Sequence, residues 1–139
     1  MAEPQAGKEK PTCISIVICS EVIEDKRTNN KTLVGLFNRI QTPQFPCQHL
    51  RMFVVASLTN GIGKWPITIR ITSPSQNEMM RLEGEVDSND PLAVMDIVLE
   101  IKGMVLQEAG VHFVDLYVGK EVDQVYQRRF LVELMKGNR

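Results

Sequence analysis

Ile67-Thr68-Ile69-Arg70-Ile71-Thr72 decides the fold class of this chain. Three isoleucines alternate with two threonines and an arginine, a period of two. A helix would scatter the isoleucines around its circumference, whereas a strand gathers them on one face and the polar residues on the other. β-Branched side chains also suit a pleated, half-buried surface. The pattern predicts a strand of antiparallel sheet, isoleucines in the core and Thr and Arg in water. Ser73-Pro74-Ser75 ends it, and Met80-Arg81-Leu82-Glu83 begins the next strand. Direct pairing of the two requires odd positions to lie opposite even ones, so that Met80, Leu82 and Gly84 also face inward. A two-residue turn at Gln76-Asn77 sets Arg70 across from Glu83, an attractive pair, while a turn from Pro74 to Asn77 sets it across from Arg81. The shorter turn is therefore expected.

The same period recurs towards both termini. From Cys13, Ile14, Ile16 and Ile18 share one face, and a second strand from Thr32 to Gln41 completes a long hairpin, with Gly35 marking a bulge. Pro43 and Pro46 rule out a regular ladder across 42–49. Met52 to Thr59 is a third strand, closed by the turn Asn60-Gly61-Ile62-Gly63. Ser88-Asn89-Asp90-Pro91 resembles a helix start, with a capping residue and proline at the first helical position. The stretch Leu92 to Ile101 reads as helix from its cap and as strand from Ile97-Leu99-Ile101. A strand from about Met95 after a single helical turn is the expectation. Strands from Val111 to Val118 and from Val122 to Glu133 follow, separated by Gly119-Lys120-Glu121. Many short strands without a long helix predict an all-β antiparallel sandwich, immunoglobulin-like or similar. Its core is expected to include Ile14 or its neighbours of the same parity, Ile69, Ile71, Leu99, Val114 and Leu116.

The chain has 139 residues, 43% hydrophobic, with sixteen basic and seventeen acidic side chains. This length fits one domain, expected over 13–135, with a mobile polar tail at 1–12 and a short tail at 136–139. A net charge of −1 offers no bulk attraction to nucleic acid or to an anionic membrane, so neither is an expected partner. Cys13, Cys19 and Cys47 are odd in number, and Cys13 and Cys19 lie too far apart along one strand to bridge. The first residues lack the apolar core of a signal peptide, and no apolar run reaches the ~20 residues of a spanning helix. A reduced, cytoplasmic location is expected.

The stretch Ile16-Val17-Ile18-Cys19-Ser20-Glu21-Val22, followed by Lys31-Thr32-Leu33-Val34-Gly35-Leu36-Phe37, resembles the opening of an uncharacterised bacterial family of unknown function. Ala109-Gly110-Val111-His112-Phe113 through Gly119-Lys120-Glu121 resembles its ending. The resemblance implies an immunoglobulin-like or similar sandwich and carries across no reaction, cofactor or ligand residue. His112 departs from the inward aromatic that such sandwiches often hold at its position.

Chemistry-bearing residues are few. His49 and His112 sit in no short ligand motif of the kind zinc sites use, and Asp87, Asp90 and Asp96 read as turn residues before they read as calcium ligands. Cys47 near His49 is the one local nucleophile–base pairing, Gly61-Ile62-Gly63-Lys64 lacks the spacing of a phosphate loop, and Glu83 and Glu85 share a solvated strand face. No catalytic, metal or cofactor residue is assigned.

The strand Val111 to Val118 is apolar on both faces, with Val114, Leu116 and Val118 on one and Val111, Phe113 and Tyr117 on the other, interrupted only by Asp115. Cover by a loop explains this. So does a self-association surface made of Val111, Phe113, Tyr117, Tyr126 and Arg128, in which aromatic anchors and Arg serve a homodimer. The expectation is a non-enzymatic interaction or assembly module. The alternative is a small-ligand or carbohydrate binder that stacks its ligand on Trp65 and Tyr117.

Overall fold

The computed structural model describes residues 8–120 and 125–136. These form nine strands and no helix: β1 (Thr12–Glu24), β2 (Lys31–Leu36), β3 (Arg39–Thr42), β4 (Cys47–Thr59), β5 (Gly63–Thr72), β6 (Glu78–Ser88), β7 (Met95–Leu106), β8 (Gly110–Val118) and β9 (Tyr126–Leu134). Among the described residues no helix is long and apolar enough to cross a membrane. Four strands lie in the order β2-β1-β4-β7 and five in the order β3-β9-β8-β5-β6. All pairs are antiparallel except β3 with β9.

The core lies between the two sheets. Ile16, Ile18, Met52, Val54, Ala56 and Leu58 enter it from one, and Ile67, Ile69, Ile71, Val114, Leu116 and Phe130 from the other. The isoleucines of β5 thus face inward as their period requires. Leu99 packs on this core while partly buried. Ile14 does not contribute, being 55% exposed. A register shift between Cys13 and Ser15 inserts an extra residue, so Cys13 packs inward and the parity of β1 changes before Ile16.

The strand expected from Thr32 to Gln41 is two strands in two sheets. The N–H of Phe37 donates to Ile18 O at 3.0 Å in one sheet, and the next residue, Asn38, accepts from the N–H of Leu131 at 2.9 Å in the other. The crossing is made between adjacent residues, which hydrophobic alternation does not reveal. Gly35 takes φ +72°, yet the β1–β2 register has no shift, so the expected bulge is absent. The prolines at 43 and 46 break the ladder as expected, but only as far as Pro46, because β4 begins at Cys47 opposite Leu106.

Odd meets even in the β5–β6 hairpin, with Ile67 opposite Gly84, Ile69 opposite Leu82 and Ile71 opposite Met80. Arg70, however, lies opposite Arg81 rather than Glu83. The turn explains this. Gln76 N–H donates to Ser73 O at 2.8 Å, which puts Pro74 at the position whose fixed φ suits a type I turn. Gln76 then takes φ +68°, and a register shift between Ile71 and Thr72 absorbs the odd residue. Glu78 relieves the like-charge opposition, standing 3.0 Å from Arg81 Nη2 and 3.9 Å from Arg70 Nη1. An exposed ion pair is too weak to choose a register against a preferred turn and three buried isoleucines.

Before β7, Leu92 N–H donates to Asp90 Oδ1 at 2.9 Å and Ala93 N–H to Asp90 O at 3.1 Å, a single capped turn. Strand follows from Met95, so the cap starts one turn and no helix. The part of the N-terminal tail among the described residues is attached to the sheet. Glu9 and Ile62 exchange two backbone hydrogen bonds of 2.9 Å, Lys8 lies 4.6 Å over the Trp65 ring, and Pro11 is buried. The final strand starts at Tyr126, and 121–124 lie outside the described residues.

Candidate interaction surfaces

β8 is the middle strand of the five-stranded sheet, so its inward residues are fully covered and its outward ones form the centre of an external face. Val111, Phe113, Asp115 and Tyr117 point outward, opposite Leu131, Arg129 and Gln127 of β9 and Thr72, Arg70 and Thr68 of β5. Asp115 is buried even though it faces out. Its Oδ1 accepts from Gln127 Nε2 at 2.8 Å, and Arg70 Nη2 stands 3.9 Å from Oδ2. Arg70 also donates to Tyr117 Oη at 3.4 Å and lies 5.8 Å over that ring. The interruption at Asp115 is therefore a polar bridge between three strands, in which only the buried Arg70 Nε lacks an acceptor, flanked by Phe113, Val111 and Leu131 on one side and Tyr117 on the other.

Five residues were expected to share this surface, and the structure divides them. Val111, Phe113 and Tyr117 lie together on the outer face. Tyr126 and Arg128 pair with Leu116 and Val114, whose side chains point inward, so they belong to the opposite face. Tyr126 packs against the core. The outward residues of β9 are Gln127, Arg129 and Leu131, one position away from those expected. Strand register alone decides this.

Sequence reading missed a second apolar surface. On the outside of the four-stranded sheet, Cys19, Phe53 and Val55 form a small buried cluster with Val22 and Leu33 packed against it. Arg51 lies 4.9 Å over the Phe53 ring, held by Glu100 at 2.8 Å and Glu21 at 3.4 Å. The signal was present in Met52-Phe53-Val54-Val55-Ala56, an unbroken apolar run where a one-faced strand would alternate.

The remaining chemistry-bearing residues do not converge. Among the described residues no three His, Cys, Asp or Glu side chains lie close enough to hold a metal ion. Asp90 caps its turn, and Asp96 accepts from Ser57 Oγ at 2.7 Å. No hydrogen bond joins Cys47 to His49, whose ring instead lies 6.2 Å from Phe37. Burial pushes the thiols of Cys13 and Cys19 up, the reverse of what activates a nucleophile. Ser75 Oγ donates directly to Glu108 Oε1 at 2.9 Å without an imidazole between them. Trp65 and Tyr117, the proposed stacking pair, lie on opposite faces of their sheet, and Trp65 Nε1 donates to Ile62 O at 2.9 Å.

His112 is wholly buried and stacks on Phe130 at 5.1 Å, so it fills the place of an inward aromatic. Nδ1 lies 3.1 Å from Gly110 O, a backbone carbonyl that can only accept, so Nδ1 carries the proton. Nε2 is then the bare nitrogen, buried without a partner, as is Nε2 of His49. Burial lowers the pKa of both imidazoles.

A cleft of about 820 Å³ opens between the edge strands β6 and β7, lined by Met79, Met80, Ile101 and Met104. Its rim charges are internally matched, Glu78 by Arg81 and Glu100 by Arg51.

Comparison with known proteins places the chain by kinship alone. The model of a family of unknown function, DUF6941, matches residues 14–129, and the chain belongs to that family. No curated protein matches it.

Proposed function

We propose that this member of a family without an assigned activity is a non-enzymatic interaction module that self-associates through the outer face of its five-stranded sheet. The carrying observation is the composition of that face. Phe113, Tyr117, Val111 and Leu131 lie beside Arg70 and Arg129, the mixture of aromatic, aliphatic and Arg side chains that marks protein interfaces. The Asp115 carboxylate already accepts from Gln127 and faces Arg70, so covering it strands no bare carboxylate, while the buried Arg70 Nε has no acceptor of its own. A two-fold pairing brings the same patch from both copies together, with Arg129 of one free to lie on an aromatic ring of the other. The reading extends to a bacterial cytoplasmic setting and to partners other than nucleic acid or membrane. Its support is the balanced charge and three free cysteines. An immunoglobulin-like sandwich is part of the same proposal, supported by four strands packed on five.

Val111 is 39% exposed, so Val111→Glu is compatible with folding and places a carboxylate from each copy within the paired faces. Sedimentation equilibrium in ~1 M salt, where the Debye length is roughly 3 Å, isolates this apolar face from charge-driven contacts. The wild type is expected to pair and Val111→Glu to remain single, with the melting temperature that the wild type shows when diluted to the unpaired state. Equal association of the two proteins would exclude this face.

A further inference from the structure

The two lateral sides of the sandwich differ in chemistry. β6 and β7 run along one, and β2 with the β3–β9 pair along the other. β3 pairs with β9 only from Leu131 to Leu134, so on that side no strand pairs with Gln127 to Phe130 among the described residues, though Cys13 to Ile16 of β1 lie across a groove from Gln127 and Arg128. The N–H groups of Leu131 and Met135 donate to Asn38 O and Thr42 O at 2.9 and 2.7 Å. Backbone groups alternate sides along a strand, so those of Gln127 and Arg129 continue this row where β3 has not begun. A groove of about 630 Å³ lies at that point, lined by Asn38, Arg39, Val111, Gln127, Arg129 and Leu131. A row of unpaired backbone groups is a template for another strand.

Edge strands are commonly kept apart by charge, which works when both edges carry the same sign. Here the signs are opposite. Arg128 and Arg129 have no ion pair among the described residues, and Arg39 shares Glu133 at 3.3 Å. On β6, the other edge of the same sheet, Glu83, Glu85 and Asp87 all point outward and are exposed. Glu85 and Asp87 have no ion pair among the described residues. The four-stranded sheet presents aliphatic side chains on the same two sides, Val34 and Leu36 on β2 and Val98 and Val105 on β7, each 38% to 63% exposed.

We infer that copies of the chain associate head to tail, the acidic β6 edge of one adding to the open, arginine-bearing edge of β9 in the next, with β7 beside β2. Glu85 and Glu83 then lie next to Arg129 on the continued outer face, and aliphatic meets aliphatic on the other sheet. The two surfaces differ, so the contact is heterologous and builds chains rather than closed pairs. It rests on edge backbone and charge sign, whereas pairing through the β8 face rests on apolar side chains, and the two share Arg129.

Light scattering of the full chain from ~0.01 M to ~1 M salt, over which the Debye length falls from roughly 30 to roughly 3 Å, reads this directly. The expected mass grows past twice 15.7 kDa with protein concentration at low salt and does not exceed that of the pair at high salt. Arg39→Glu with Arg129→Glu makes both edges acidic, and Glu85→Arg with Asp87→Arg makes both basic, so each variant alone is expected to stop growing beyond the pair. Mixed in equal amounts, the two variants are expected to resume growth, because each then offers the other an edge of opposite sign. Arg129 also lies on the β8 face, so the two proposals are told apart by Glu85→Arg with Asp87→Arg, which leaves that face untouched: pairing through it alone gives wild type and this variant the same mass. No growth in the wild type, growth that survives either variant, or a mixture that stays dispersed would overturn head-to-tail association.

Discussion

His112 occupies the interior position of an aromatic residue while carrying a titratable nitrogen that nothing satisfies. In the unfolded chain it takes up a proton near the ordinary histidine value of 6.5, whereas in the fold burial lowers that value. His49 behaves alike. As pH falls through 6.5 the unfolded chain gains protons that the folded chain refuses, so stability present above 6.5 is lost below it. Denaturant titrations at pH 7.5 and 5.5 should show this loss, and His112→Phe should shrink it; an unchanged difference would place the proton elsewhere. Glu108, held low chiefly by its bond from Ser75, adds its own loss only below 4.5. Packing makes a separate prediction. Leu116 is 1% exposed, so Leu116→Ala should cost about 2–5 kcal/mol in a denaturant titration. Ile14→Ala, at an exposed site, should stay within ~0.5 kcal/mol.

Strand and turn predictions belong to the β5–β6 hairpin, where turn chemistry outranks charge. Glu78 is the carboxylate shared by Arg70 and Arg81, and its bonds raise the Arg81 pKa further. Glu78→Gln should lower the melting temperature at low salt and much less at high salt, since it exposes a cross-strand Arg–Arg repulsion. Adding Arg81→Thr should recover the loss; no recovery would mean that Glu78 acts by another route. The isoleucines of β5 were legible because a period of two admits one face assignment. The register was not, because Pro74 and Gln76 set it through local dihedral preference while the more visible charge pattern favoured another turn. Phe37-Asn38 was equally opaque, since one residue bonds to each sheet and side-chain alternation continues across the crossing. Ile16 and Ile18 fill the core as their parity requires, while Ile14 failed for a third reason, a bulge that changes parity without leaving a Gly or Pro as a marker.

For the molecule as a whole, surface logic was partly readable. Val111, Phe113 and Tyr117 stood out because a sandwich strand apolar on both faces needs cover. Tyr126 and Arg128 were misplaced because their face depends on how β9 registers against β8. The open edge of β9 could not be read at all, since it exists only because a segment 92 positions earlier in sequence, Arg39 to Thr42, covers four of the nine residues of that strand. This architecture supplies apolar and charged surfaces on a fold whose histidines, cysteines and carboxylates are scattered, which is why association is its central proposal. The decisive measurement is the light-scattering mass of the wild-type chain in ~1 M salt across a concentration series. The account predicts a mass rising from 15.7 kDa to twice that value, and a mass that holds at 15.7 kDa throughout would contradict it.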